Sequence, residues 1–303
     1  MRRWNRTTVP YYLAIAPFFV LFAVFGIVPL VVAGYMSLHK WDGLGPMRFV
    51  GFDQFTRLVD DPQFWRALLT TIEIFAISQL PLAIAALGVA FLLSNRRLRF
   101  RGLYQSIYFL PQVTSIVVIA IVFHSLFGSN FGMVNRILEW LHLPSVDWMA
   151  STWGVNTVIA LMIIWRGFGY LVLLFLAGMA AIPPELYEAA EIDGARASRQ
   201  LWSITLPMLR PTIVFAMLTG IVSGLQVFTE PQVLIGGDGS GAPGVTLMLL
   251  QYDYIGRNPA IGAQPDLGYA SAIGWAVFIV VALASATSWA VSRRNSDKEP
   301  ELT

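Results

Sequence analysis

Six long apolar runs constrain this chain more than any other feature. They cover residues of about 11–37, 68–94, 103–127, 153–182, 211–229 and 267–292. A bilayer core about 30 Å thick is crossed by roughly 20 apolar helical residues, and each run is long enough or nearly so. Within hydrocarbon every backbone N–H and C=O must find a protein partner, and a helix satisfies its own. The expected fold is therefore all-α and polytopic, with six transmembrane helices in a lipid bilayer. Composition agrees, since 13% of residues are charged against about 25% in soluble domains.

Basic residues orient the spans. The N-terminus, the loops at 95–102 and 183–210, and the C-terminal tail hold thirteen of the twenty Lys and Arg. By the positive-inside rule these segments are cytoplasmic, which places both termini inside. Arg2, Arg3 and Arg6 precede an apolar run too long for a signal-peptide core and without a convincing cleavage site, so a retained signal-anchor helix is expected. Pro17, Pro29, Pro81 and Pro111 sit inside spans, where they either adjust packing or mark broken helices around a path. The outer loop at 38–67 is rich in aromatics, and Phe55, Leu58 and Val59 recur at helical spacing, so a short surface helix is expected.

The cytoplasmic loop at 183–210 carries a second strong pattern. It reads Glu188-Ala189-Ala190, three residues, Gly194, nine residues, then Ile204-Thr205-Leu206-Pro207. Pro183-Pro184 ends the fourth span, a helix follows, Gly194 breaks it, and a second helix is expected over about 197–204, taking Leu201 and Trp202 back toward the bilayer. This pattern resembles the cytoplasmic loop of permease subunits of binding-protein-dependent ABC importers. The resemblance implies that the loop is a coupling helix seated in a cleft of an ATPase. Glu188, Ala189, Ala190 and Gly194 would then face that ATPase, with Asp193 and Arg196 flanking them. The stretches Leu103–Pro111 and Gly178–Pro183 are similar to sugar-type permeases of the maltose and glycerol-3-phosphate kind. The likeness covers essentially the whole chain and implies a type I importer permease fold in one domain, residues 1–303, of a bacterial inner membrane. It also implies partners: a homologous second permease, two copies of an ABC ATPase that binds ATP and magnesium, and an external solute-binding protein. Relative to the maltose member, extra N-terminal helices and a large outer insertion are missing.

Within the spans, Arg166 lies about fourteen residues after Trp153, which at a rise of ~1.5 Å puts it near the midplane. An ionisable group there costs at least about 2.5–3.5 kcal/mol on insertion scales. It is expected either to meet an anionic or hydroxyl-rich solute or to form a structural ion pair. Trp165, Gln226, Gln112 and Asn156 add rings and amides of the kind carbohydrate pockets use. Arg166 tilts the expectation toward glycerol-3-phosphate or a glycerophosphodiester, with an oligosaccharide as the alternative. Glu73 is read as structural.

Other chemistries are disfavoured. A net charge of +2 gives no nucleic-acid footprint. There is no cysteine, and His39, His124 and His142 offer no metal spacing. No Walker A pattern occurs, and the glycine-rich 239–244 segment has no strand before it. No catalytic constellation is evident, so the chain is expected to be a transport subunit without a cofactor of its own. An ion-coupled transporter would call for inverted repeats and more intramembrane acids. An intramembrane enzyme would need reactive side chains clustered at one depth.

Overall fold

The computed structural model describes residues 9–94, 100–128, 132–236, 242–257 and 265–296. Arg2, Arg3 and Arg6, most of the 95–102 loop, residues 239–241 of the glycine-rich segment and the end of the polar tail lie outside the described residues. Every extended apolar run is helical. The first comprises α1 (Val9–Phe22), a π-helical turn (Ala23–Ile27) and α2 (Val28–Ser37). Pro29 has no N–H to donate, and the wide turn stands immediately before it, with Val28 N donating to Ala23 O. Apart from Ser37 at its end, nothing described in this span is buried, as suits a helix that is apolar all round and meets lipid or another membrane subunit.

Short strands β1 (His39–Lys40) and β2 (Arg48–Phe49) pair antiparallel and lead to α3 (Asp53–Asp60). This is the surface helix expected from the sequence; Leu58 is buried, while Val59 points away at 60% exposure. The next span, α4 (Pro62–Ser94), is followed by α5 (Arg101–Val113) and α6 (Ile116–Leu126), then by the outer helix α7 (Met133–Trp140) and the long α8 (Thr152–Ala180). The cytoplasmic loop holds α9 (Pro184–Ile192), α10 (Ala197–Gln200), a π-helical segment (Leu201–Thr205) and α11 (Leu206–Met208). The chain returns through α12 (Arg210–Leu225) and α13 (Thr229–Ile235), then α14 (Leu247–Tyr252) and α15 (Leu267–Ser296).

Two runs depart from the expected boundaries. The third is a bent pair, α5 and α6, at 94° to one another. Thr114 and Ser115 are extended (ψ 142° and 131°), so the ladder stops between them. The Thr114 hydroxyl donates to Leu110 O at 3.0 Å, satisfying a carbonyl the break would orphan. Of the four prolines, Pro111 lies beside this break, whereas Pro81 sits in an uninterrupted helix. The fifth run ends as a helix at Leu225, three residues short of α13.

The chain divides into two compact units, Met1–Pro62 with Gln251–Phe278, and Gln63–Leu250 with Ile279–Thr303. In the first, the outer loop clasps the start of α15. Leu267 N donates to Trp41 O at 2.8 Å, and Arg57 pairs with Asp266 at 2.7 Å while lying 4.1 Å over the Tyr269 ring. Burial works to lower the Arg57 pKa, but the hydrogen bond and charge of Asp266 outweigh it and hold the group above its ordinary value. In the second unit α4 buries one stripe, Ala67, Thr71, Ile74, Ser78, Leu82 and Ala86, spaced three or four residues apart. Small residues dominate it, which lets helices approach closely where lipid supplies no hydrophobic drive. The α5–α8 contact is the tightest of these: a Cβ on Gly169 would overlap the Tyr108 carbonyl.

Candidate functional site

Two regions collect the residues singled out by sequence. The cytoplasmic loop is built locally. Pro184 opens α9 at a position where a backbone N–H would have no helical acceptor, and Glu185 in the first turn complements the helix dipole. Asp193 caps the C-terminus, and Gly194 follows at φ +74°. Ala195 N donates to Ala190 O at 2.8 Å and Gly194 N to Glu191 O at 3.0 Å. These two bonds are the Schellman pattern, which satisfies the last carbonyls of α9. A side chain at 194 would have open space yet an unfavourable backbone, costing about 1–2 kcal/mol.

The loop is tied down from behind. The Tyr187 hydroxyl and Thr205 Oγ1 lie 2.9 Å apart, Thr205 is fully buried, and the Gln200 amide donates to Ala195 O at 3.2 Å. Thr205 Oγ1 also donates to Gln200 O at 3.3 Å across the π-helical turn. The second helix is thus α10 continued by this turn, not the single helix over 197–204 expected from sequence. Glu188, Ala189, Asp193 and Gly194 are exposed and Ala190 is half-buried, so the pattern residues turn outward from the anchored side. Ile192 and Trp202, in the same loop, are 87% and 71% exposed. Sequence reading assigned Trp202 to the returning helix and gave Ile192 no role.

The second region is a cavity of about 500 Å³ within the second compact unit. Gln79 enters from α4 and Gln112 from α5, next to the helix break. Arg166 and Tyr170 come from one face of α8, four residues apart. Thr219 and Ser223 repeat that spacing on α12, Gln226 follows its end, and Glu230 lies in the first turn of α13. Arg166 Nη1 is 3.3 Å from Glu230 Oε1, with side-chain exposures of 37% and 12%. Arg166 Nε is buried and makes no hydrogen bond. Among apolar neighbours such as Leu82 and Ile163, the polar side chains of the lining are three amides, the hydroxyls of Thr219, Ser223 and Thr229, a phenol and one internally offset ion pair. Such a surface offers many neutral donors and acceptors and little net charge.

Of the five path residues expected from sequence, the structure brings Arg166, Gln226 and Gln112 together. Trp165 and Asn156 lie outside this lining. Trp165 is one position from Arg166, about 100° around the helix. It sits outside the lining and 6.1 Å, ring to ring, from Phe123. Asn156 is fully buried two turns or more toward the start of α8 and donates from Nδ2 to Glu73 Oε2 at 2.9 Å. Sequence reading missed Gln79, Tyr170, Thr219, Ser223 and Glu230 as neighbours of Arg166. The one available signal was the cost of a lone intramembrane arginine, which calls for a counter-charge. Spacing could not choose between Glu73 and Glu230.

The chain has clear relatives. Residues 62–295 match the family described as binding-protein-dependent transport system inner membrane component. It is similar to the lactose transport system permease protein LacF of Rhizobium radiobacter, 34% identical over 277 residues, or 90% of this chain and 91% of that one. It is also similar to the arabinooligosaccharides transport system permease protein AraP of Bacillus subtilis (strain 168), 33% identical, covering 95% of this chain and 90% of that one. A bacterial alginate ABC transporter, crystallised in complex with an alginate pentasaccharide-bound periplasmic protein, contains a chain that superposes with a TM-score of 0.78. The two are 25% identical, and the match covers 97% of this chain and 98% of that chain. The outward loop, the polar mid-span cavity and these relatives converge: this chain belongs to the binding-protein-dependent transport system inner membrane components, as a multi-pass sugar ABC importer permease of the type I fold.

Proposed function

We propose that the chain carries an uncharged oligosaccharide through the membrane, accepting it from an external solute-binding protein. The cavity is the observation that carries this reading. Amides from Gln79, Gln112 and Gln226 with the hydroxyls of Thr219 and Ser223 suit a polyhydroxylated ligand, and the Tyr170 ring suits a sugar face. The expectation of glycerol-3-phosphate or a glycerophosphodiester rested on the charge of Arg166. Glu230 offsets that charge, and the relatives named for lactose and arabinooligosaccharides favour the oligosaccharide.

The working assembly contains a homologous second permease, two copies of an ABC ATPase holding ATP and magnesium, and the binding protein, in keeping with the family and with the periplasmic protein bound to the alginate transporter. The chain contributes no cofactor or catalytic group. Closing of the ATPase pair moves α9 through contacts at Glu188, Ala189, Ala190, Asp193 and Gly194, and the cavity turns from one side of the membrane to the other. The free energy comes from nucleotide binding acting differently on two conformations.

The test is ATPase activity of the reconstituted complex with binding protein loaded with a disaccharide or a glycerophosphodiester. Stimulation by the sugar-loaded protein, lost in Gly194→Pro and Glu188→Lys, is expected. Equal stimulation in native and variant complexes would remove the loop from transmission. Stimulation by the phosphodiester alone would reinstate the phosphorylated substrate.

A further inference from the structure

We infer that Glu230 sets the charge class of the transported solute, by converting Arg166 from an anion receptor into a neutral hydrogen-bonding group. The inference rests on the reading of the cavity as the sugar path. Its basis is the geometry of the pair. Arg166 and Glu230 stand on separate elements, α8 and α13, and both line the cavity. Their contact is a single one at 3.3 Å, long for an ion pair, and Arg166 Nε remains buried without a hydrogen bond. A guanidinium has five N–H donors, and bidentate carboxylate pairs hold two of them. Here the pair compensates charge while leaving donor capacity unused. Nε is too enclosed to reach a solute, but the side chain as a whole is 37% exposed, so a neutral solute with many hydroxyl acceptors can accept from the remaining Nη N–H groups without displacing Glu230. An anionic solute would have to compete with a carboxylate that is only 12% exposed and cannot swing freely into water. The same carboxylate repels it at short range. Specificity of this kind comes from the repulsive element as much as from the attractive one.

The chain contains no cysteine, so one introduced thiol reports on the cavity. Ser223 is exposed on the cavity wall. In the reconstituted complex carrying Ser223→Cys, the reaction rates of an anionic and a cationic methanethiosulfonate are compared, following the mass of this chain. The anionic-to-cationic ratio is expected to stay near that of a free thiol. Added Glu230→Gln should raise it roughly tenfold, Arg166→Gln should lower it by a similar factor, and the double variant should restore it. Protection by solute is the second readout. Lactose, arabinotriose or maltotriose should slow labelling when Glu230 is present, and trigalacturonate should do so only in Glu230→Gln.

An unchanged ratio in Glu230→Gln overturns the inference, as does protection of the Glu230-containing cavity by trigalacturonate as strong as by the neutral sugars. If the ratio shifts as expected but no sugar protects any variant, the cavity is not the sugar path; the proposed function then falls and the specificity role with it. If neutral sugars protect and Glu230→Gln gains no protection by trigalacturonate, only the role of Glu230 falls. Should Glu230→Gln fail to assemble, Arg166→Gln decides. It must lower the ratio through the uncompensated Glu230 charge, and an unchanged ratio there is equally fatal.

Discussion

The α9 loop and the cavity hold their key side chains in opposite ways. In the loop, Glu188, Ala189, Ala190, Asp193 and Gly194 lie within seven consecutive residues, and the bonds that shape the turn span at most five positions. In the cavity, Gln79, Gln112, Arg166, Ser223 and Glu230 come from five separate helices, and the critical contact joins residues 64 positions apart. The first is a local structure that packing merely anchors, through Tyr187 and Thr205. The second exists only once α4, α5, α8, α12 and α13 have packed. A device that must present a fixed surface to a partner can be written into a short segment. A container that must change shape during transport is better made from parts that can move apart.

The largest expected effect tests the local half of this contrast. Gly194→Val forces a β-branched residue to φ +74°, at a cost of roughly 1–3 kcal/mol, while Asn tolerates that conformation better. Sugar-stimulated ATPase activity should fall tenfold or more in Gly194→Val and far less in Gly194→Asn, and thiol labelling in the cavity should be unchanged. Labelling altered together with coupling would break the separation of the two regions.

Next comes the distributed half. Glu230→Gln leaves Arg166 without its counter-charge. Because Arg166 is partly exposed, the loss is about 2 kcal/mol and not the 3–5 kcal/mol of a fully buried pair. Thermal unfolding of the complex should show it, and the Arg166→Gln/Glu230→Gln double variant should recover much of it. Additive losses would mean the two side chains do not interact.

A smaller effect is expected for Tyr187→Phe, which removes the 2.9 Å contact with buried Thr205 and costs about 1 kcal/mol. Hydrogen exchange in the 184–200 backbone should rise while that of α8 stays the same. The smallest belongs to Trp165→Leu. Trp165 lies outside the cavity lining, so solute protection of the introduced thiol should stay within about twofold of native. A larger loss would return Trp165 to the path and enlarge the cavity beyond its present lining.

Legibility follows the same division. The apolar runs announced the spans because a helix in hydrocarbon is constrained residue by residue. The Pro183-Pro184 start and the Gly194 stop announced α9 because proline and glycine act through their own backbone. The π-helical turn after α10 left no comparable mark, and Pro111 pointed to the break at Thr114–Ser115 only as one of four prolines, of which Pro81 sits in an uninterrupted helix; at both places a side-chain hydroxyl, of Thr205 or Thr114, meets a backbone carbonyl. Within the runs, amides and rings could be seen but not sorted. Trp165 and Arg166 are adjacent in sequence, yet only one reaches the cavity, because a helix turns about 100° per residue and the α8 run, apolar on all sides, carries little amphipathic signal to fix which face is which.

The sequence alone determined the class, the spans, their orientation and the shape of the cytoplasmic turn, since each follows from local hydropathy, local charge or a single residue's backbone. The tertiary structure decided which polar residues share a cavity, that Glu230 and not Glu73 meets Arg166, and that Asn156 donates to Glu73. Those outcomes depend on the rotation and register of separate helices, which are set by small residues such as Gly169 where backbones touch, and no single segment encodes them.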